Sequence, residues 1–276
     1  MSRRFIPFIR GFSYVLVIVW MAPLTTIQSQ PKAKPIWAEE FDYEGLPDPA
    51  KWSYDVGDGC PRLCGWGNNE LQYYTTNTSR NSRVEKGKLI IEAHRESYQG
   101  REYTSARLIT GNKGDWQYGR IDIRAKLPYG RGTWPAIWML PTMDPKDFSW
   151  PLDGEIDIME HVGYNQDMVY GTIHTQAYNS MIGTQKVDSI HVRDAHQAFH
   201  VYSIHWTPNK IEWFVDNEKY HTIVKDGKEK EKWPFDRPFY LIMNLAVGGR
   251  WGGKHGVDEK VWPQRLEVDY VRVYKH

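Results

Sequence analysis

The segment Asp153-Gly-Glu155-Ile-Asp157-Ile-Met-Glu160 holds the residues best suited to chemistry in this chain of 276 residues. Strand alternation puts Glu155 and Asp157 on one face and Ile156 and Ile158 on the other. Glu160 follows Glu155 by an odd number of residues and so falls out of phase. One extra residue forming a β-bulge around Met159 returns it to the acidic face, and bulges re-aim side chains beside active sites. Two carboxyl groups about 5 to 5.5 Å apart can cleave a glycoside with retention, one attacking carbon while the other gives and takes a proton. Asp157, between them, would raise a neighbouring carboxyl's pKa through its charge and orient the nucleophile through a hydrogen bond. Carboxylates on so apolar a segment are costly to place unless something uses them. A calcium site remains open from the spacing, as does a solvated face, although the interleaved apolar residues argue against the latter.

These carboxylates need a scaffold, and the rest of the chain reads as strands. Segments 88–94, 104–109, 120–127, 133–140, 155–160, 168–174, 201–206, 210–215, 239–247 and 266–274 favour β-branched or aromatic residues and are separated by turn residues. A mostly antiparallel β-sandwich is the natural result. In 120–127, Ile121, Ile123, Ala125 and Leu127 alternate with Arg120, Asp122, Arg124 and Lys126, so one face meets a core and the other water. Elsewhere Trp134, Ala136 and Trp138 alternate with Ile137 and Met139, and Tyr170, Thr172 and His174 with Val169 and Ile173, which describes a lined groove. Buried tryptophan is common in sandwiches, so Trp134 and Trp138 read equally well as core. His174 reads as a strand histidine, and Arg107 has no clear side.

The net charge of +1, with acidic and basic residues interspersed, leaves no electrostatic footprint for nucleic acid or an anionic membrane. Thirteen Trp and seventeen Tyr offer flat faces that stack on sugar rings or fill cores. Arg3, Arg4 and Arg10 precede an apolar run from Phe12 to Leu24, which is short against the roughly 20 residues of a membrane span and reads as a signal peptide over 1–29. A short linker over 30–36 leads into one catalytic domain over 37–276. The two cysteines, Cys60 and Cys64, fit a short disulfide loop in an exported protein better than a metal site, which would need further ligands nearby.

The run Gly154-Glu-Ile-Asp-Ile-Met-Glu160 resembles the active-site signature of glycoside hydrolase family 16, in the bulged form typical of its laminarinases. Trp37-Ala-Glu-Glu-Phe-Asp42, Gly65-Trp-Gly-Asn-Asn-Glu-Leu-Gln-Tyr-Tyr74, Gly132-Thr-Trp-Pro-Ala-Ile-Trp-Met-Leu-Pro141, Asn244-Leu-Ala-Val-Gly-Gly249 and Val268-Asp-Tyr-Val-Arg-Val-Tyr274 agree, so the likeness covers the whole chain after the leader. It implies an all-β jelly roll of two curved antiparallel sheets with a concave substrate cleft. Glu155 becomes nucleophile, Asp157 its electrostatic helper, and Glu160 general acid then base. Trp134 and Trp138 look like cleft tryptophans, Asn68 and Arg107 like sugar-binding polar residues, His174 like a neighbour of the acid/base, and Trp251 like a subsite aromatic at the rim. Catalysis would need no cofactor, while Glu40, Gly87 and Asp269 match positions of a structural calcium on the convex side.

The activity so implied is retaining endo-β-1,3-glucanase action on laminarin-like glucan by a secreted monomer, with the polysaccharide as partner and neither nucleic acid nor membrane. Mixed-linkage glucan, a galactan such as agarose, transglycosylation and non-catalytic glycan binding are the alternatives. Arg250, where laminarinases often carry asparagine, and the loop 143–152 are departures placed where they can shape subsites.

Overall fold

The computed structural model describes Met1 and residues Lys34–His276. The signal peptide over 1–29 and the linker residues before Lys34 lie outside the described residues. In chain order the strands are β1 (Trp37–Glu39), β2 (Ser53–Tyr54), β3 (Gln72–Tyr74), β4 (Ser82–Val84), β5 (Leu89–Tyr98), β6 (Arg101–Ser105), β7 (Arg107–Ile109), β8 (Asp115–Trp116) and β9 (Gly119–Lys126). There follow β10 (Thr133–Pro141), β11 (Glu155–His161), β12 (Met168–His174), β13 (Lys186–His191), β14 (His200–Thr207), β15 (Lys210–Val215), β16 (Glu218–Val224), β17 (Phe239–Val247) and β18 (Gln264–Tyr274). Among the described residues, no helix is long and apolar enough to cross a membrane.

Two sheets face each other across one core. The first runs β16-β15-β14-β9-β18-β5-β6-β3, with β1 on β18 and β4 on β5; the second runs β13-β12-β11-β10-β17-β7-β2, with β8 on β17. Pairing is antiparallel except between β3 and β6, which run parallel. The fold class read from the sequence is the one observed: a nearly all-β, jelly-roll-like sandwich.

Burial explains why these segments are strands. Along β9 buried and half-buried residues alternate without a break, so Ile121, Ile123 and Ala125 enter the core. Ile156 and Ile158 of β11 and Ile137 and Met139 of β10 meet them from the second sheet. β17 is buried along almost its whole length, because one face lines the core and the other lies beneath aromatic side chains of the groove.

The segment 104–109, read as one strand, is two. β6 belongs to the first sheet and β7 to the second, with Ala106, fully buried, at the corner. Its continuous apolar pattern hides the change of sheet. The outer strands β13 and β16 escaped notice because their residues are mostly exposed and carry no alternation.

Candidate active site

β11 lies between β10 and β12 near the middle of the second sheet. Its register shows the bulge directly: Ile137 and Trp138 of β10 face Met159 and Asp157, and on the other side Asp157 and Glu160 face Thr172 and Tyr170. Ile158 is the extra residue, and both it and Met159 are buried. The bulge therefore keeps the apolar residues in the core while turning Glu160 to the side of Glu155 and Asp157.

Two contacts from the core fix this kink. Trp213 of β15, in the opposite sheet, donates its Nε1–H to the Asp157 carbonyl at 2.8 Å. It can come so close because the residue of β12 opposite the bulge is Gly171, where a Cβ would stand 2.5 Å from Trp213 Cδ1. At the entrance to β11, Gly154 takes φ +91 against Pro234 and Phe235, a conformation that favours glycine.

On the groove side the three acids differ in their partners. Trp150 Nε1 donates to Glu155 Oε2 at 3.0 Å, and Trp134 Nε1 donates to Glu160 Oε1 at 3.0 Å. Burial pushes the Glu155 carboxyl up, and the charge of Glu160 adds to this, while Trp150, Arg107 and a hydrogen bond with Asp157 oppose it. Burial likewise raises Glu160, against the Trp134 hydrogen bond. Asp157, 2% exposed, is pushed well above the carboxylate range by burial and then by Glu155 and Glu160. Burial thus favours the neutral form of Asp157, which shares a hydrogen bond with Glu155.

His174 pairs across the strands with Glu155 and not with Glu160, whose partner is Tyr170. Its Nε2 lies 3.8 Å from Glu155 Oε1 and 3.5 Å from Asp157 Oδ2. His174 is thus placed beside Glu155 and Asp157. Burial lowers its pKa to about 4, leaving the ring neutral.

Trp134 and Trp138 are both half-exposed, so neither is core. Trp251 packs edge-on against Trp134 at 5.6 Å and Tyr170 at 5.1 Å, forming an aromatic wall beside Glu160. The Arg107 guanidinium is sandwiched between Trp66 at 4.6 Å and Trp138 at 4.8 Å and is paired with Asp55 at 2.9 Å. Behind this stack, Trp138 Nε1 donates to Asn244 at 2.8 Å, Asn244 Nδ2 to Tyr74 at 3.0 Å, and Gln72 Nε2 to the buried Glu70 at 2.6 Å. Asn68 joins the same network through Glu70 at 3.4 Å, and its carbonyl accepts the Arg250 amide at 2.7 Å. The loop containing Asn68 is stapled by the disulfide between Cys60 and Cys64.

Sequence reasoning missed Trp150, Trp66, Glu70 and Asn244 as site residues. Trp150 left one signal, an aromatic five residues ahead of Glu155 in a loop that looked particular to this chain. The other three lie in motif segments, yet only the fold shows which neighbour each one holds.

The proposed calcium ligands are differently engaged. Glu40 makes a two-pronged pair with Arg272 at 2.8 Å, Asp269 pairs with Arg124 at 2.5 Å, and Gly87 sits in a turn with φ +71. Asp269 is paired through Oδ2, so a calcium ion held largely by backbone carbonyls with one carboxylate would compete with Arg124 for Asp269 and leave the Glu40 pair in place.

A bulged strand that turns two glutamates and an aspartate into an aromatic groove has close relatives. Residues 69–272 match Glycosyl hydrolases family 16. The chain belongs to this family. A β-glucanase of Rhodothermus marinus is 57% identical, over 87% of this chain and 84% of that protein. The glucan endo-1,3-β-glucosidase of Cryptopygus antarcticus is 36% identical, over 86% of this chain and 90% of that protein. The X-ray structure of the laminarinase from Rhodothermus marinus superposes with a TM-score of 0.84, covering 89% of this chain and 98% of that one. Family 16 membership joins the sandwich, the bulge and the acidic run in one description, and the chain is a glycoside hydrolase by descent.

Proposed function

We propose that this chain is a retaining endo-β-1,3-glucanase acting on laminarin-like glucan, secreted and monomeric, with Glu155 as nucleophile, Glu160 as acid/base and Asp157 as the residue that positions Glu155. The observation that carries this reading is the division of hydrogen bonds: Trp150 and Asp157 both serve Glu155, whereas Glu160, among the described residues, accepts from Trp134 alone. Burial raises both carboxyls, Glu155 to about 8 and Glu160 to about 7, so the pair favours holding one proton between them; with Trp150 and Asp157 both donating to it, Glu155 is the carboxyl prepared to attack and Glu160 the one left to give the proton. Glu155 uses Oε1, the oxygen that Trp150 leaves free, to form a bond to the anomeric carbon. The glycosidic bond breaks as the Glu160 proton passes to the departing oxygen. Glu160, now a carboxylate, takes a proton from water, whose oxygen displaces Glu155 and restores the enzyme.

Two further points support the substrate. The relatives named above include a glucan endo-1,3-β-glucosidase and a laminarinase, and the groove is lined by tryptophans suited to the C–H faces of neutral sugars. Product analysis after incubating wild type and Glu155→Ser with laminarin, mixed-linkage glucan and agarose tests the proposal. The expected result is oligosaccharide release from laminarin, with β configuration at the new reducing end by NMR, by wild type alone. Cleavage of agarose without cleavage of laminarin would reject the substrate, and initial release of α product would reject the mechanism.

A further inference from the structure

The loop 143–152 reaches Glu155 through the Trp150 indole, which donates to Oε2 at 3.0 Å. What holds that indole in place is the residue two positions before Glu155. Asp153 is 2% exposed. Its Oδ2 accepts the Ser149 amide at 2.8 Å, and its own amide donates to the Ser149 carbonyl at 3.0 Å. The Gly154 amide donates to the Pro151 carbonyl at 3.1 Å, so the turn is closed on both sides of Trp150. Ser149 directly precedes Trp150 in the chain, and a shift of its backbone carries the indole with it.

Asp153 is itself anchored from outside the loop. Lys230 Nζ stands 2.6 Å from Asp153 Oδ1, and Arg237 Nη1 stands 3.5 Å from the same oxygen. Both cations belong to the segment between β16 and β17. That segment also packs against Gly154, where a Cβ would stand 2.6 Å from Pro234 Cγ and 3.1 Å from Phe235 Cε1. Arg237 further reaches Met143 Sδ at 3.9 Å, at the start of the loop. Burial raises the Asp153 carboxyl, yet Lys230, the Ser149 amide and the charge of Arg237 together hold it below its ordinary range. A buried carboxylate compensated in this way is costly to disturb, and the oxygen turned away from the cations is the one that holds the turn. We propose that Asp153 is a positioning residue for the glucanase reaction: anchored by Lys230 and Arg237, it fixes the turn 149–154 so that the Trp150 N–H meets Glu155 Oε2.

The effect on rate rests on the glucanase reading with Glu155 as nucleophile; the placement of Trp150 does not. Asp153→Ala removes the oxygen that accepts the Ser149 amide. In the folded variant, checked by circular dichroism, kcat on laminarin should fall roughly tenfold with KM changed less than about twofold, because a misplaced donor costs rate more than binding. The acidic limb of the kcat/KM profile should move to higher pH, as in Trp150→Phe, since Trp150 lowers the Glu155 pKa. In the Trp150→Phe background the Asp153→Ala effect should vanish, because both changes remove the same contact. Lys230→Met alters a side chain 43% exposed and leaves Arg237 beside Asp153, so it keeps the fold and should lower kcat by a smaller factor, about twofold. By NMR, the Trp150 indole N–H resonance, assigned by its loss in Trp150→Phe, should shift upfield in Asp153→Ala and in the same direction in Lys230→Met. An unshifted resonance in the folded variants, an Asp153→Ala effect that persists in the Trp150→Phe background, or a rise in KM at constant kcat would overturn the proposal. If wild type leaves laminarin intact, the glucanase reading fails, while the indole resonance still decides whether Asp153 places Trp150.

Discussion

β9 and β11 both alternate charged residues with apolar ones, yet they treat charge in opposite ways. On β9 and its neighbour β18, Asp122 pairs with Arg120 at 2.7 Å, Asp269 with Arg124 at 2.5 Å and Glu267 with Lys126 at 2.7 Å, all half-buried at the surface. On β11, Glu155, Asp157 and Glu160 sit deeper, with tryptophan N–H groups and a neutral histidine for partners and no lysine or arginine in ion-pair contact among the described residues. Burial without a counter-ion destabilises the charged form. The first arrangement matches charge locally, whereas the second stores a cost that only chemistry can use. The proposed catalytic residues lie on the strand whose carboxyls have no counter-ion among the described residues.

The sharpest way to break this contrast is to remove the proposed nucleophile. Glu155→Ser should cut laminarin hydrolysis by about 10³-fold or more, while a paired acid on β9 should have no such effect. Trp150→Phe keeps the ring and removes the N–H that serves Glu155. Loss of a hydrogen bond to a charged group, about 1.5–3 kcal/mol, should lower kcat roughly 10- to 100-fold. Because Trp150 lowers the Glu155 pKa, the acidic limb of the kcat/KM profile should also move to higher pH.

Stability should move in the other direction. Glu160 has its pKa raised in the fold, so between the unfolded and folded pKa values the native state holds more protons than the unfolded state. Its contribution is therefore present below the ordinary carboxylate pKa and lost as pH rises through the folded one. Glu160→Gln should then be inactive on laminarin yet more stable than wild type at pH 8, by about 1–3 kcal/mol in urea unfolding, with the gain shrinking toward pH 4. Equal gain at both pH values would mean that its burial carries no charge penalty. The smallest effect belongs to β9: Asp122→Asn breaks a half-exposed pair and should change stability by less than about 1 kcal/mol, with kcat and KM unaltered.

Much of the site was readable because each strand writes its own burial into its sequence. The alternation over Arg120–Lys126 is the alternation observed, and the odd spacing of Glu155 and Glu160 already called for the bulge that the register shows. Trp66 and Glu70 were visible within a motif without a role, since their work is done on Arg107, Asn68 and Gln72, and nothing in 65–74 says that β7 passes beside them.

The sequence by itself determined the strands with a buried face, the acidic run and its kink, and the family resemblance, all of which depend on residues close together in the chain. Only the tertiary structure decided that 104–109 turns a corner between sheets, that His174 lies beside Glu155, that Glu40 and Asp269 pair with arginines, and that burial favours the neutral form of Asp157. The reason is physical. Periodicity records how much of each residue is buried, but the partner it meets there is set by packing, as when Trp213 reaches across the core to the Asp157 carbonyl from 56 positions away.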